Sequence, residues 1–360
     1  MSMLYWLTKV KEVSRITANP LKLSYVCNYG KMGQKEIITH TKFLHKEIPI
    51  RLSQRIEDLH QLPHDLSKNK SMQEIYELYM NSFQKLHSYK TPEYWNWDDC
   101  LDYVKEVSKL KDEHIDIEFR ISNAIKDYKK EIGYKNGYFD KNINDIDKIL
   151  TNFYYSRIGI RFLLSQHIEI LKQLDKGKEA NGIIDNKCTP YGIVNDAVSN
   201  VERICLEEYC KRPGTGYQLP KININMNKDF TMPYISRHFY YIIFEILKNS
   251  FKASMENYED DSVITITDSL GKDDYIIKIS DKGGSFNRNI LDNIQSFFYT
   301  TSSQGTSLSG FGHGLGLSQI YVRYFGGDIK IIPMEGIGTD VIIYFSNFTN
   351  NSENVADDFN

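Results

Sequence analysis

From about residue 40 to 175 the apolar positions recur every three or four residues, the spacing of one buried face of an α-helix. Leu44, Ile48, Leu52, Ile56 and Leu59 make one stripe, in which Pro49 predicts a kink or a fresh start. Ile75, Leu78, Phe83 and Leu86 make a second. A long third runs through Leu101, Val104, Val107, Leu110, Ile117, Ile121, Ile125 and Tyr128, and a fourth through Ile160, Leu164, Ile168 and Leu171. Four long helices with modest loops predict an antiparallel bundle over 1–175. Glycine, charge and a proline then interrupt the pattern, so 176–192 reads as a linker. Beyond it the period shortens. "KININMN", "SVITITD", "YIIKISD", "DIKIIP" and "TDVIIYF" have the β-branched, partly alternating character of strands, with helical segments at about 194–210, 234–257 and 316–325. This mixture predicts an α/β sandwich over 193–345, a sheet covered by helices on one face, and an α+β chain as a whole. Residues 346–360 are polar and are expected to be a disordered tail.

Composition changes this picture little. The 360 residues, 41% hydrophobic and 25% charged, suit a soluble globular protein of about two domains. A net charge of −3 offers no general field for nucleic acid, which is not expected as a partner. Cys27, Cys100, Cys188, Cys205 and Cys210 are scattered and odd in number, against both a disulfide framework and a zinc site, and fit a reducing compartment. The longest apolar runs, such as "YYIIFEIL", fall far below the roughly 20 residues that span a bilayer, so no membrane insertion is expected. The opening "MSMLYWLTKVKEVSRI" has basic residues but also Glu12, and is at most a weak organellar presequence.

Four stretches carry candidate chemistry. In "FEILKNSFKAS", Glu245, Lys248, Asn249 and Lys252 lie three and four apart on one helix face. A carboxylate, an amide oxygen and two cations together can serve a base, a metal ion and phosphates. The same four residues also suit a solvated surface face. "ISDKGGSF" ends a strand at Asp281 and follows it with Gly283 and Gly284. Such a turn can accept from an exocyclic amine and let a planar base approach the backbone, or be a tight turn and no more. "GFGHGLGLSQI" spaces Gly310, Gly312, Gly314 and Gly316 at every second position into a helix start, where unpaired N–H donors favour phosphate. It completes neither G-x-G-x-x-G nor a Walker loop. "MEGIGTDVIIYF" puts Gly336, Gly338 and Thr339 before a strand, as a hairpin turn also would.

Taken in order, E-x-x-K-N, D-x-G-G, G-F-G-x-G-x-G and G-x-G-T resemble the nucleotide boxes of the ATPase superfamily that includes gyrase, heat-shock chaperones, mismatch-repair proteins and histidine kinases. The resemblance implies that Asn249 ligates Mg²⁺, Asp281 binds the adenine amine, and residues 310–316 close over the triphosphate. It extends the cofactor-binding set to Lys252, Gly283, Gly284, Thr300, Thr301, Gly310, Phe311, Gly312, His313, Gly314, Leu315, Gly316 and Thr339, with ATP, Mg²⁺ and optionally K⁺ as cofactors.

Beyond the nucleotide boxes, "HKEIPIRLSQRI", "YSRIGIRFLLSQH" and the rest of 15–345 resemble the mitochondrial 2-oxoacid dehydrogenase kinases. That family implies a protein-serine kinase of the mitochondrial matrix, acting on the dehydrogenase component of a pyruvate or branched-chain complex. It further implies a helical domain that docks the lipoyl domain of the acyltransferase core, and a homodimer. Glu245 matches the family's proposed general base and Lys248 a residue that orients it; a glutamate side chain in water is ionised at neutral pH and can accept a serine proton. Tyr241, one turn before Glu245, together with "SRIGIR" and "DEHIDI", is closer to the branched-chain kinase, and the tail lacks the Asp-Trp pair of the pyruvate kinases. Lys252 stands where the family has arginine, and Ser285 where a third glycine is usual. Arg157 and Arg161, one turn apart, match with His114 a family pocket for oxoacid-like inhibitors; without the resemblance they are equally arginines paired to acidic neighbours. Two rival readings are a histidine kinase with an acceptor near His45, a poor match because Lys46 breaks the histidine–acid adjacency, and an idle ATP-binding scaffold.

Overall fold

The computed structural model describes residues 2–134, 141–207, 218–256, 262–291, 293–294, 296–299, 313–347 and 351–353. The chain forms two compact units, one of 1–184 with 352–360, the other of 185–351.

The first unit is helical. α1 (Met3–Val13) packs on α3 and buries Trp6 and Val10, with Trp6 edge-on to Phe83, so this opening helix is part of the fold. α2 (Leu23–Asn28) leads to α3 (Gln34–Gln61), α4 (His64–Ser67), α5 (Lys70–His87), α6 (Trp97–Glu113), α7 (Ile117–Glu131) and α8 (Lys141–Asp175). α3 packs against α5 and α8, α5 against α7, and α6 against α8. Pro49 neither ends nor restarts its helix: α3 runs through it, with Ile48, Pro49 and Ile50 all buried. The third apolar stripe is two helices rather than one. Leu110 and Ile117 are both buried, but the chain leaves the helix at His114 and exposes Ile115 between them. Seven residues is close to two turns, so two helices sharing one buried side keep nearly the same spacing as a single helix.

Two polar clusters are sealed in this unit. His167 is fully buried, its ring nitrogens 3.1 Å from Tyr29 Oη and 2.9 Å from Thr41 Oγ1, and His40 stacks on Tyr29 at 4.0 Å. Elsewhere Arg51 donates to Glu47 Oε1 at 2.9 Å and to the carboxylate of Glu353. Glu353 also accepts from Leu21 N and donates its own N–H to Leu21 O. Part of the expected disordered tail is therefore anchored: Ser352 bridges to Lys22, and Glu353 completes a buried ion pair.

The second unit begins inside the expected linker, because β1 (Asp185–Cys188) pairs antiparallel with β3 (Met232–Tyr234) and α9 (Pro190–Cys205) starts on Pro190. Proline suits a first helical turn, where its missing N–H costs nothing. β2 (Lys221–Asn225), β4 (Val263–Leu270), β5 (Asp274–Ser280), β6 (Asp328–Met334) and β7 (Gly338–Ser346) form one sheet in the order β2-β4-β5-β7-β6. Among the described residues of this sheet, β2 and β4 run parallel and the other neighbours antiparallel. Register puts Ile266 opposite Ile279, Ile277 opposite Ile343, and Ile343 opposite Ile329, one apolar face. On the sheet lie α10 (Ser236–Glu256), against β4 and β5, and α11 (Gly314–Tyr324), against β6 and β7, while α9 packs beside α10. Among the described residues no helix is long and apolar enough to cross a membrane.

Candidate active site

α10 is fixed by its apolar side. Phe239, Ile242, Ile243, Ile246, Leu247 and Phe251 are all at most 1% exposed, each contributing about 1.5–3 kcal/mol of burial. Its polar residues divide. Lys248 is buried, with Nζ 2.8 Å from Glu245 Oε1 and 5.3 Å from the centre of the Phe244 ring. Lys252 is also buried along its stem, with Nζ 3.8 Å from Glu256. Asn249 is exposed. The stretch is thus a half-buried carboxylate paired with a buried ammonium beside an outward amide, not a uniformly solvated face. A lysine donating to one carboxylate oxygen holds the group in place.

The end of β5 supplies the second element. Asp281 is 6% exposed, and its Oδ1 accepts the Gly283 N–H at 3.0 Å and the Thr339 N–H at 3.2 Å. Burial pushes its carboxyl above the ordinary value, opposed by the Gly283 N–H, the Ser250 hydroxyl and the Thr339 N–H, with Asp340 adding to the rise. Two glycines permit this turn. A methyl on Gly283 would stand 2.5 Å from the Ala253 carbonyl carbon of α10, and one on Gly338 would overlap Asp281 O and stand 2.8 Å from Asp281 C. Both obstacles are backbone, so neither position admits a side chain without moving a strand or helix. Gly284 takes φ 74° and Ser285 φ 56°, while Ser285 Oγ lies 3.0 Å from Thr339 Oγ1. The left-handed conformation at 285 explains why glycine is usual there; serine accepts about 1–2 kcal/mol of backbone strain.

α11 brings the third element. His313, its N-cap residue, is buried edge-on against Phe297 at 5.2 Å; Leu315 is half-buried and Gly316 buried. Gly314 lies directly against Glu245. Thr300, Thr301, Gly310, Phe311 and Gly312 fall outside the described residues. Ser250 and Gly338 were not among the expected site residues. Ser250 carries no pattern of its own; Gly338 belongs to the G-x-G-T stretch, and the turn's geometry shows what its missing side chain makes room for.

The regulatory candidates meet in the helical unit. Arg157 Nη2 donates to His114 O at 2.8 Å and Arg161 Nη1 to Lys111 O at 3.3 Å, so the arginines satisfy carbonyls at the end of α6. Glu118 Oε1 lies 3.6 Å from Arg157 Nε, an acidic partner at the edge of the pair. Ser82 Oγ is 2.8 Å from His114 Nε2, and Tyr79 packs edge-on to the imidazole at 4.7 Å. Burial, then Arg157, Arg161 and Lys85, push His114 down to about 3, against a smaller opposing effect of Asp116. Because the folded value lies below the unfolded 6.5, its stabilising contribution is complete above pH 6.5 and is lost as pH falls toward 3. Relative to wild type, His114→Asn is expected to flatten the acid loss of stability by about 1.4 kcal/mol per pH unit between pH 6 and 4, read from urea melts.

Comparison with known proteins bears on both units. A family model described as mitochondrial branched-chain alpha-ketoacid dehydrogenase kinase matches residues 20–185, and one described as histidine kinase-, DNA gyrase B-, and HSP90-like ATPase matches 235–348. The mitochondrial [pyruvate dehydrogenase (acetyl-transferring)] kinase of Arabidopsis thaliana is 32% identical over 351 residues, covering 92% of each chain. Isozyme 3 of Homo sapiens is 30% identical over 382 residues, 98% of this chain and 90% of its own. The chain belongs to the mitochondrial 2-oxoacid dehydrogenase kinase family. In this kinase the second unit is the ATP-binding domain, and α10, the Asp281 turn and α11 are the elements that meet within it. Among the described residues no three His, Cys, Asp or Glu side chains cluster as a metal site. A divalent ion carried by ATP needs no such cage, since Mg²⁺ is typically held by one or two protein oxygens with phosphates and water.

Proposed function

We propose that this kinase transfers the γ-phosphoryl group of ATP to a serine of the dehydrogenase component of a 2-oxoacid dehydrogenase complex, in the mitochondrial matrix, and so inactivates it. The observation that carries the reading is the pairing of Glu245 with the buried Lys248 on the same helix that backs the Asp281 turn. Asp281, with Gly283 and Thr339 fixing its carboxylate, would accept from the adenine amine. Asn249, outward on α10, would give its amide oxygen to Mg²⁺, which when bound neutralises phosphate charge during transfer. Lys252 would add a cation, without the bidentate fork of an arginine. The serine proton passes to the Glu245 carboxylate as the serine oxygen bonds to the γ-phosphorus. The bond from that phosphorus to the bridging oxygen breaks, and ADP leaves with the electron pair. A K⁺ ion would be a further neutralising charge, tested by replacing K⁺ with Na⁺ in the assay.

The pyruvate complex is the substrate best supported by relatives matching nearly the whole chain. The branched-chain complex is supported by the model matching 20–185 and by Tyr241. Transfer of labelled phosphate to each purified dehydrogenase component, followed by an acid wash, decides between them. Acid-stable label on one component identifies the substrate. Acid-labile label confined to the kinase itself would replace this reading with a histidine kinase, and ATP binding without any label would leave a scaffold.

In the helical unit we infer docking of the lipoyl domain and control by the substrate oxoacid. Arg157, Arg161 and Lys85 make the surroundings of His114 electropositive, which suits a carboxylate ligand. Arg161→Ala is expected to raise the oxoacid concentration for half-inhibition about tenfold with ATP binding unchanged, the loss of one charge-assisted hydrogen bond. Unaltered inhibition removes the pocket from the mechanism. A homodimer is proposed from the family and is read by light scattering.

A further inference from the structure

Glu245 has two carboxylate oxygens with different neighbours. Oε1 takes the Lys248 ammonium at 2.8 Å. Oε2 lies over the α-carbon of Gly314, the first residue of α11: a methyl built there would overlap Oε2 and stand 2.8 Å from Cδ and 3.3 Å from Cγ. The two helices are held at this approach by aromatic contacts on the same sides. Tyr241, one turn before Glu245, meets Tyr321 at 5.2 Å, and His238 meets Tyr321 at 4.7 Å and Phe325 at 5.8 Å. Positions descending α10 thus face positions ascending α11, and Gly314 is where the helices bring backbone against the carboxylate. The start of α11 is fixed in turn by Leu317 N donating to His313 O at 2.9 Å and Ser318 Oγ donating to Gly314 O at 2.7 Å.

We propose that Gly314 is a positioning residue for the general base, and that its missing side chain serves Glu245 rather than the nucleotide. This inference rests on the kinase reading above. It differs from the expectation that every glycine of the "GFGHGLG" stretch holds phosphate. The contrast with the other close-packed glycines carries the argument. At Gly283 and Gly338 a side chain would meet backbone, whereas at Gly314 it would meet the far end of a flexible side chain. A methyl at 314 is relieved by rotating Glu245 away from Lys248, so the fold survives and the base moves. Displacing a reacting group by about 1 Å can cost a hundredfold in rate.

The test is a comparison of Gly314→Ala, Glu245→Asp and the double variant in phosphate transfer, with ATP affinity measured by calorimetry. Gly314→Ala is expected to lower kcat about tenfold to a hundredfold and to change the ATP dissociation constant less than about threefold. Glu245→Asp, one methylene shorter, is expected to cost less in the Gly314→Ala background than in wild type. Loss of ATP affinity with kcat preserved, or strictly multiplicative effects in the double variant, would return Gly314 to the phosphate loop. Should Gly314→Ala fail to fold, adding Glu245→Ala removes the collision and is expected to restore both melting temperature and ATP binding; no restoration overturns the proposal. Absence of transfer by the wild type would instead count against the kinase reading, while the melting temperatures of the same variants still report the contact.

Discussion

Glu245→Gln is expected to lower phosphate transfer by about 10²–10⁴ while leaving ATP affinity within a few-fold of wild type. Glutamine keeps the shape of the side chain and an oxygen able to accept from Lys248, so α10 and its contact with Gly314 are preserved. What disappears is the carboxylate proposed to take the serine proton. Lys248 is buried, and it pairs with the Glu245 carboxylate at 2.8 Å. Neutralising that partner leaves an ammonium to be solvated by the amide alone, which adds a modest loss of stability of about 1–3 kcal/mol. The two effects are separable by experiment. A base defect lowers kcat at saturating ATP and dehydrogenase, and survives at temperatures where the variant is fully folded. A purely structural defect tracks the melting curve and takes ATP binding with it. Full transfer by Glu245→Gln would remove Glu245 from the proton path.

The division into a helical region and a sheet with helices is legible from periodicity, because a buried face imposes 3.6 on a helix and 2 on a strand regardless of partners. The five strands of the main sheet fall where alternation put them. Periodicity failed where it carries no information: the break at His114 keeps the seven-residue phase, and β1 and β3 are too short for alternation to register. Glu353 sits in a polar run whose composition says disorder, and only a partner hundreds of residues earlier, Arg51, makes it buried. In the nucleotide-binding unit, motif order singled out Glu245, Lys248 and Asp281, which the fold places on α10 and at the end of β5. The same order could not say which glycine answers to which neighbour. A glycine's cause lies in what it approaches, and Gly283, Gly314 and Gly338 approach a helix backbone, a carboxylate and a strand carbonyl respectively.

Replacing Asp281 is expected to act on nucleotide affinity rather than on transfer. In Asp281→Ala the proposed acceptor for the adenine amine is gone, and the N–H groups of Gly283 and Thr339 lose the Oδ1 that holds them. One hydrogen bond to a charged group is worth about 1.5–3 kcal/mol, so ATP affinity should fall on the order of a hundredfold. The loosened turn adds to this, because Gly283 packs against Ala253 of the helix that carries Glu245. Asp281→Asn separates recognition from architecture. Its amide oxygen can still accept from Gly283 and Thr339, but its NH₂ group faces the base as a donor. Adenine presents an amine there and hypoxanthine a carbonyl, so Asp281→Asn should weaken ATP while improving ITP relative to ATP. Calorimetric titration with both nucleotides reads the ratio directly. A ratio unchanged from wild type, with the domain still folded, would mean that the base does not reach Asp281, and that the buried carboxylate serves only to tie the end of β5 to the start of β7.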